Sequence, residues 1–352
     1  MKLISFNKRM YQLFKVFYKL TGQCRKMDDH FLVERFVDSL QRLHFTQQGA
    51  SAAERRDFFR KHLVEIEVET HGYCNRTCSF CPNAHFSRAD KSQIMPEDVF
   101  DRIIAQLKSI DYAHTLKLHR YNEPLALDII FDRIRRARRE LPRARIGFHS
   151  NGDYVTAEKL KELESAGLDF VIIGMYLDAA GSREALLAEA KDRCREFLRR
   201  RDLEAHEVPA DGALVRYRVR MEKLQVAMFV PDVASQWNDR GGTLKSYARH
   251  ARVSPCESPF GRLLVDWTGD VLPCCNLRGD VAAHKPYILG NAATTALEDI
   301  YFSGVANGLR RKLAGFDIKE GACRTCHYAS FPQDDGYKAL VEKKIRKLDI
   351  DQ

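Results

Sequence analysis

The stretch "HGYCNRTCSFCPN" (71–83) places three cysteines, Cys74, Cys78 and Cys81, within eight positions. Three thiols fall one short of the four ligands that close a structural zinc site. His71 completes a zinc set only if the loop folds it back onto its own strand end. A cubane iron–sulfur cluster uses three thiolates differently: each cysteine binds one iron, and the fourth iron is left for a ligand that is not protein. An open coordination position is how a metal site admits a reactant.

Outward from this loop, "VEIEVET" (64–70) alternates apolar and acidic residues and predicts a strand that runs straight into the cysteines. "MPEDVFDRIIAQL" (95–107) follows as a helix with Phe100, Ile103, Ile104 and Leu107 on one face. A strand near "TLKLHRY" (115–121), a helix over 127–141, a strand "RIGFHS" (145–150), a helix "AEKLKELESAG" stopped by Gly167, and a strand "LDFVIIGM" (168–175) continue the pattern. Strand–helix repetition of this kind builds a parallel sheet or barrel. After a charged helix over 182–201, "ALVRYRVR" (213–220) and "KLQVAMFV" (223–230) read as strands five and six. Beyond "WNDRGG" (237–242) the chain turns to cysteines, glycines and short strands, which marks a second domain from 250 to 330. A C-terminal helix, "YKALVEKKIRKL", closes the chain within 331–352.

The bulk numbers bound the rest. A chain of 352 residues exceeds the size of most single cores. No apolar run is long enough to span a bilayer. Lys8, Arg9, Lys15 and Lys19 interrupt the N-terminal apolar stretch, so residues 1–63 read as a helical extension and not as a signal peptide; packing on the main domain is expected ahead of membrane or partner docking. The net charge of +9 is concentrated in "RIRRARRELPRAR" (133–145), which predicts a solvated helix face. No nucleic-acid module is recognisable, so an anionic small molecule or peptide is expected before DNA or RNA. Ten cysteines without a secretory signal argue for metal or redox chemistry in the reducing cytoplasm and against a disulfide framework.

The C-x3-C-x2-C spacing after the first strand of a βα domain, with Phe80 just before the third cysteine, resembles the radical S-adenosylmethionine (SAM) superfamily. The resemblance implies a partial (βα)6 barrel of the TIM type over 64–249 and a SAM-binding [4Fe-4S] cluster on Cys74, Cys78 and Cys81. It further implies reductive cleavage of SAM to a 5′-deoxyadenosyl radical that abstracts a substrate hydrogen. "YNEPL" (121–125) resembles the family's Gly-Gly-Glu-Pro segment, with Tyr121 and Asn122 in place of the glycines; Glu123 would accept from the SAM ammonium. "HSNGDYV" (149–155) resembles the Thr-Asn-Gly turn, which makes Ser150 and Asn151 candidates for the SAM ribose or carboxylate.

A second set, Cys256, the pair Cys274 and Cys275, and "CRTC" (Cys323 and Cys326), can staple a small domain around zinc or iron–sulfur. Its pattern resembles the SPASM/twitch auxiliary-cluster domain of radical SAM enzymes, a small α+β unit. "ILGNAATTALEDIY" (288–301) resembles that domain's Gly-Asn stretch and helix. The resemblance implies one auxiliary [4Fe-4S] cluster on Cys256, Cys274, Cys323 and Cys326, Cys274 being preferred to Cys275 because it directly follows Pro273. Cys24, Cys194 and Cys275 then remain free, and Cys275 could donate a hydrogen atom beside the cluster.

A fully ligated auxiliary cluster can accept one electron. The expected function is therefore oxidation of a small metabolite, of the dehydrogenation type, with flavodoxin or ferredoxin as electron donor; Arg240 and Asp239 are the candidates for the base, the alternative being a loop salt bridge or binding of the SAM or substrate carboxylate. Radical epimerisation and the modification or cross-linking of a peptide are the alternatives within the family. A zinc-stabilised, basic RNA-binding protein is the alternative outside it, and it leaves the order of the three strand-end motifs without a cause.

Overall fold

The computed structural model describes residues 51–327, apart from 178–180, 211, 234–236 and 249, together with 338, 339, 342 and 343. The expected helices in the N-terminal extension and over 337–348 therefore lie almost wholly outside the described residues. One helix of that extension is described, α1 (Ala52–His62), opened by a capping box between Ser51 and Glu54. The strands are β1 (Glu65–Val68), β2 (Thr115–Lys117), β3 (Arg145–Ser150), β4 (Phe170–Gly174), β5 (Ala205–Val208), β6 (Val215–Val219), β7 (Gln225–Val230), β8 (Arg262–Val265), β9 (Asp270–Leu272) and β10 (Gly290–Asn291). Between them run α2 (Glu97–Ser109), α3 (Ile129–Glu140), α4 (Ala157–Ser165), α5 (Arg183–Arg200) and the short α6 (Ser258–Gly261), followed by α7 (Leu297–Tyr301) and α8 (Gly304–Ala314).

Among the described residues all ten strands form one open sheet in the order β10-β9-β8-β1-β2-β3-β4-β7-β6-β5. The run β8-β1-β2-β3-β4-β7 is parallel throughout. β5 and β6 extend one edge in antiparallel fashion, and β9 and β10 extend the other. This corrects one expectation. The stretch 213–220 is a strand, but it pairs antiparallel with β7 because the five residues 220–224 between them suffice for a hairpin and not for a crossover helix. The sixth parallel strand is β8, which pairs with β1 from 197 positions further along, Glu65 opposite Arg262.

The helices cover the sheet as their periodicity demands. Val99, Phe100, Ile103, Ile104 and Leu107 of α2 are buried, as are Ile130, Phe131, Ile134 and Ala137 of α3. Each fully buried side chain of this size contributes about 1.5–3 kcal/mol. The basic run on α3 is a solvated face only in part. Arg135 and Arg136 pair with Asp132, Glu162, Glu97 and Asp101. Arg133 is instead buried over the Phe100 ring and donates to the Met95 carbonyl. No helix among the described residues is long and apolar enough to cross a membrane.

The inner face of the sheet is polar, which is unusual for a packed barrel. The acidic residues of β1 point inward: Glu65 lies 2.8 Å from Lys117 Nζ and 3.4 Å from Arg262 Nε, and Glu67 lies 3.6 Å from Lys117. Neighbouring strands thus supply the cations that let carboxylates be buried. Gly147 on β3 has a packing reason: a Cβ there would come within 2.4 Å of the Phe170 ring on β4.

Candidate active site and a second cysteine cavity

The C-terminal ends of the parallel strands surround a cavity of about 440 Å³. Parallel sheets place their sites at this edge, where loops can vary without disturbing the ladder. Nine of the expected site residues line it together: Cys74, Cys78, Phe80, Cys81, Glu123, Ser150, Asn151, Arg240 and Cys275.

The cysteine loop is held at both ends. The Cys74 N–H donates to the Arg88 carbonyl at 2.8 Å, and the Cys81 N–H to the Cys78 carbonyl at 2.9 Å. Arg88 lies 3.2 Å from the Glu69 carboxylate, and both side chains are buried. Burial alone would raise the Glu69 carboxyl, but Arg88, Arg120 and the Tyr121 N–H outweigh it and hold it below the usual range. His71 is buried with Nε2 facing Asn122 at 3.4 Å, and it does not line the cavity, so the structure gives no support to a zinc set completed by His71.

Glu123 is the electrostatic centre of the opposite wall. It caps the short turn opened by Pro124, and its carboxylate accepts from Ser150 Oγ at 2.8 Å and from the Asn151 N–H at 2.6 Å. Burial pushes its carboxyl up to about 7 despite these donors. Ser150 and Asn151 are thus aimed at Glu123. The Asn151 amide also donates to Asn75 at 2.9 Å, and Arg76 pairs with Asp153, so the third-strand turn is tied to the cysteine loop.

Phe80 packs on Tyr176 at a tilt of 33° with ring centroids 4.4 Å apart and meets Trp237 edge-on at 5.4 Å; the Trp237 indole N–H donates to the Phe80 carbonyl at 2.6 Å. Arg240 lies over the Trp237 ring at 4.7 Å. Its φ of 48° opens a run of three positive-φ positions with Gly241 and Gly242, and at Gly241 a Cβ would strike His284. A non-glycine residue in this region costs roughly 1–2 kcal/mol, and Arg240 lines the cavity from there.

Two expectations are corrected at this loop. Arg240 is no base: burial opposes its charge, but Tyr121, Cys275, Cys81 and Tyr176 raise its guanidinium further, and arginine stays protonated in proteins. Asp239 does not line the cavity; its buried carboxylate accepts from the Thr325 hydroxyl between Cys323 and Cys326.

The residue-by-residue reading missed the cavity floor. His119 and His149 stack there 4.7 Å apart and nearly parallel, with Glu67 and Lys117 beneath. Burial lowers the His149 imidazole to about 4 and holds His119 well below its ordinary value, so both stay neutral. The signal was the inward alternation of β1 to β3, which ordinary amphipathic patterning assigns to solvent.

The second cysteine set lines a separate small cavity, where Cys256, Cys274, Cys323 and Cys326 meet. Consecutive residues point to opposite sides here. Cys274 faces this cavity, and Cys275 faces the larger one. The two sites are stapled together: Arg120 donates to the Leu277 carbonyl at 2.7 Å, the Tyr121 hydroxyl to the Cys275 carbonyl at 2.7 Å, and Arg278 to Asn83 at 2.7 Å. Cys194 is a buried core residue of α5, and Cys24 lies outside the described residues.

The donor sets fit iron–sulfur clusters. Burial pushes Cys74 up to about 11 and Cys323 to about 12, and it raises Cys274 well above the usual range, with the neighbouring thiols adding to it. Thiols so placed ionise when a bound cation replaces their protons. Among the described residues no three His, Cys, Asp or Glu side chains converge closely enough to share a single ion.

Comparison with known proteins agrees. Residues 68–202 match the radical SAM superfamily, and residues 256–327 match SPASM, an iron–sulfur cluster-binding domain. The S-adenosyl-L-methionine-dependent 2-deoxy-scyllo-inosamine dehydrogenase of Niallia circulans is 24% identical over 278 residues, 78% of this chain and 97% of the relative. The crystal structure of BtrN in complex with AdoMet and 2-DOIA superposes with a TM-score of 0.53 at 23% identity, covering 78% of this chain and 97% of that one. Streptococcus suis SuiB bound to its precursor peptide SuiA gives a TM-score of 0.41 at 12% identity, over 73% and 70%. The first matched segment contains Cys74, Cys78 and Cys81 and the second contains Cys256, Cys274, Cys323 and Cys326, and the chain is a radical SAM enzyme with a SPASM iron–sulfur domain.

Proposed function

We propose that the chain dehydrogenates a hydroxyl-bearing small metabolite, with an auxiliary cluster in the four-thiol cavity as electron acceptor. The carrying observation is the single wall shared by the two cavities, with Cys274 on one side and Cys275 on the other. Similarity to a dehydrogenase over nearly that enzyme's whole length supports the same reading.

In this reading Cys74, Cys78 and Cys81 hold the SAM-binding [4Fe-4S] cluster, and Cys256, Cys274, Cys323 and Cys326 hold the auxiliary one. Together a cluster and SAM supply, when bound, a 5′-deoxyadenosyl radical able to abstract hydrogen from carbon. The residues around them do the rest. Glu123 receives the SAM ammonium, and Ser150 and Asn151 keep its carboxylate in place. Phe80, Tyr176 and Trp237 wall the cavity against water. Arg240, a permanent cation, binds a substrate oxygen. The neutral imidazoles of His119 and His149 offer acceptor nitrogens to a substrate hydroxyl, a role that charged histidines could not fill. We further place the enzyme in the cytoplasm, where thiols stay reduced and flavodoxin or ferredoxin can donate electrons.

The test is anaerobic reconstitution followed by turnover with candidate alcohols. Ketone product with one deoxyadenosine per turnover is expected. Uptake of solvent deuterium at one inverted carbon would replace this reading with epimerisation.

A further inference from the structure

Asn276 stands in the wall between the two cavities, with its side chain buried. Its Nδ2 lies 3.5 Å from Cys326 Sγ, and its Oδ1 accepts from Arg240 Nη1 at 3.1 Å. The amide cannot be turned round. A guanidinium carries donors only, so the carbonyl must face Arg240 and the NH₂ must face the sulfur. Arg240 in turn is fixed by its N–H bond to Asn238 Oδ1 at 3.0 Å and by the Trp237 ring, and it reaches the substrate cavity beside Cys275.

We propose that Asn276 is a positioning residue that joins the two centres: its N–H donates to the Cys326 sulfur and raises the reduction potential of the auxiliary cluster, while its carbonyl holds Arg240 in the substrate cavity. The proposal rests on the reading of Cys326 as a ligand of that cluster. A hydrogen bond to a ligand sulfur favours the reduced, more negative state, since it offsets part of the added charge. An electron acceptor is improved by that bias. One amide serving both partners also means that a displaced Arg240 loosens the donor on the sulfur.

The test is a redox titration of the anaerobically reconstituted full chain, followed by the electron paramagnetic resonance of the auxiliary cluster. N276D keeps the size of the side chain and its bond to Arg240 but offers no N–H to the sulfur; N276L removes both bonds. Each is expected to lower the potential, changing the oxidised-to-reduced ratio at a fixed poise about tenfold, which is ~59 mV for a one-electron couple. R240Q is expected to shift the potential in the same direction, and R240Q with N276L no further than N276L alone. The isosteric N276D carries the test where N276L fails to fold. An unchanged potential in N276D, with the auxiliary signal lost in C326S, overturns this inference alone. An auxiliary signal that survives C326S overturns the ligand reading along with it.

Discussion

Glu123 is buried among hydrogen-bond donors and near the Asp153 carboxylate, and no cation is among its principal influences. The sign of its effect follows. In the ligand-free chain the fold favours the protonated carboxyl, at about 7 against an ordinary 4.5. Its contribution to stability is full below the unfolded value and is lost as pH rises through 7, on the order of 3 kcal/mol. E123Q removes that titration, so it should melt above the native chain at pH 8 and close to it near pH 4.5; identical melting curves across this range would refute the assignment. The same variant should bind SAM at least about tenfold more weakly by calorimetry, because a charge-assisted bond contributes roughly 1.5–3 kcal/mol. Glu69 behaves oppositely. Its carboxyl is held low by Arg88, so its stabilisation is present above the unfolded value and is lost as pH falls through the lower folded one. R88M takes the ion-pair partner from that buried carboxylate and leaves it the Tyr121 N–H, and denaturant melts at pH 7 should show a loss of about 3 kcal/mol that narrows in acid. Neither role depends on chain context in the same way. Glu123 was legible from its Pro124 neighbour and strand-end position, whereas Arg88 lies in a loop with no pattern to announce it.

At the level of elements, direction was harder to read than type. The alternation of 213–220 and 223–230 announces two strands, but nothing in a strand's own pattern says which neighbour it takes or which way it runs. The short link between them makes β6 antiparallel, and the sixth parallel place falls to β8. The facing of the β1 acids was not legible for a related reason: alternation gives two faces and does not say which one is wet. The adjacent cysteines lie in the turn after β9 and also face opposite sides. Because Cys274 and Cys275 face different cavities, C274S should lose the auxiliary iron, while C275S should keep both clusters by iron count and electron paramagnetic resonance. Equal iron loss in the two variants would contradict this placement.

Across the whole molecule, the two cysteine constellations lie far apart in sequence and are joined by side chains that no local motif reveals. Arg278 is the fullest case: fully buried, it bonds Asn83 and Asp280 and lies 5.0 Å from the Tyr121 ring centroid. R278M should lower stability by about 2–4 kcal/mol and, although it lies in the SPASM segment, should reduce the occupancy of the cluster on the distant loop, measured by iron content. The three strand-end motifs were readable because each is short and contiguous, and the second cysteine set because its pieces keep a distinctive residue type; the staples between them were not, since they pair residues such as Arg278 and Asn83 that stand 195 positions apart. That distance has a consequence for biogenesis. β1 is flanked on one side by β8, so during synthesis its edge stays open until residue 265 has left the ribosome, long after Cys81 has emerged. The nascent cysteine loop is therefore half-supported until then, and iron delivery to it is best timed after the last parallel strand has closed beside it.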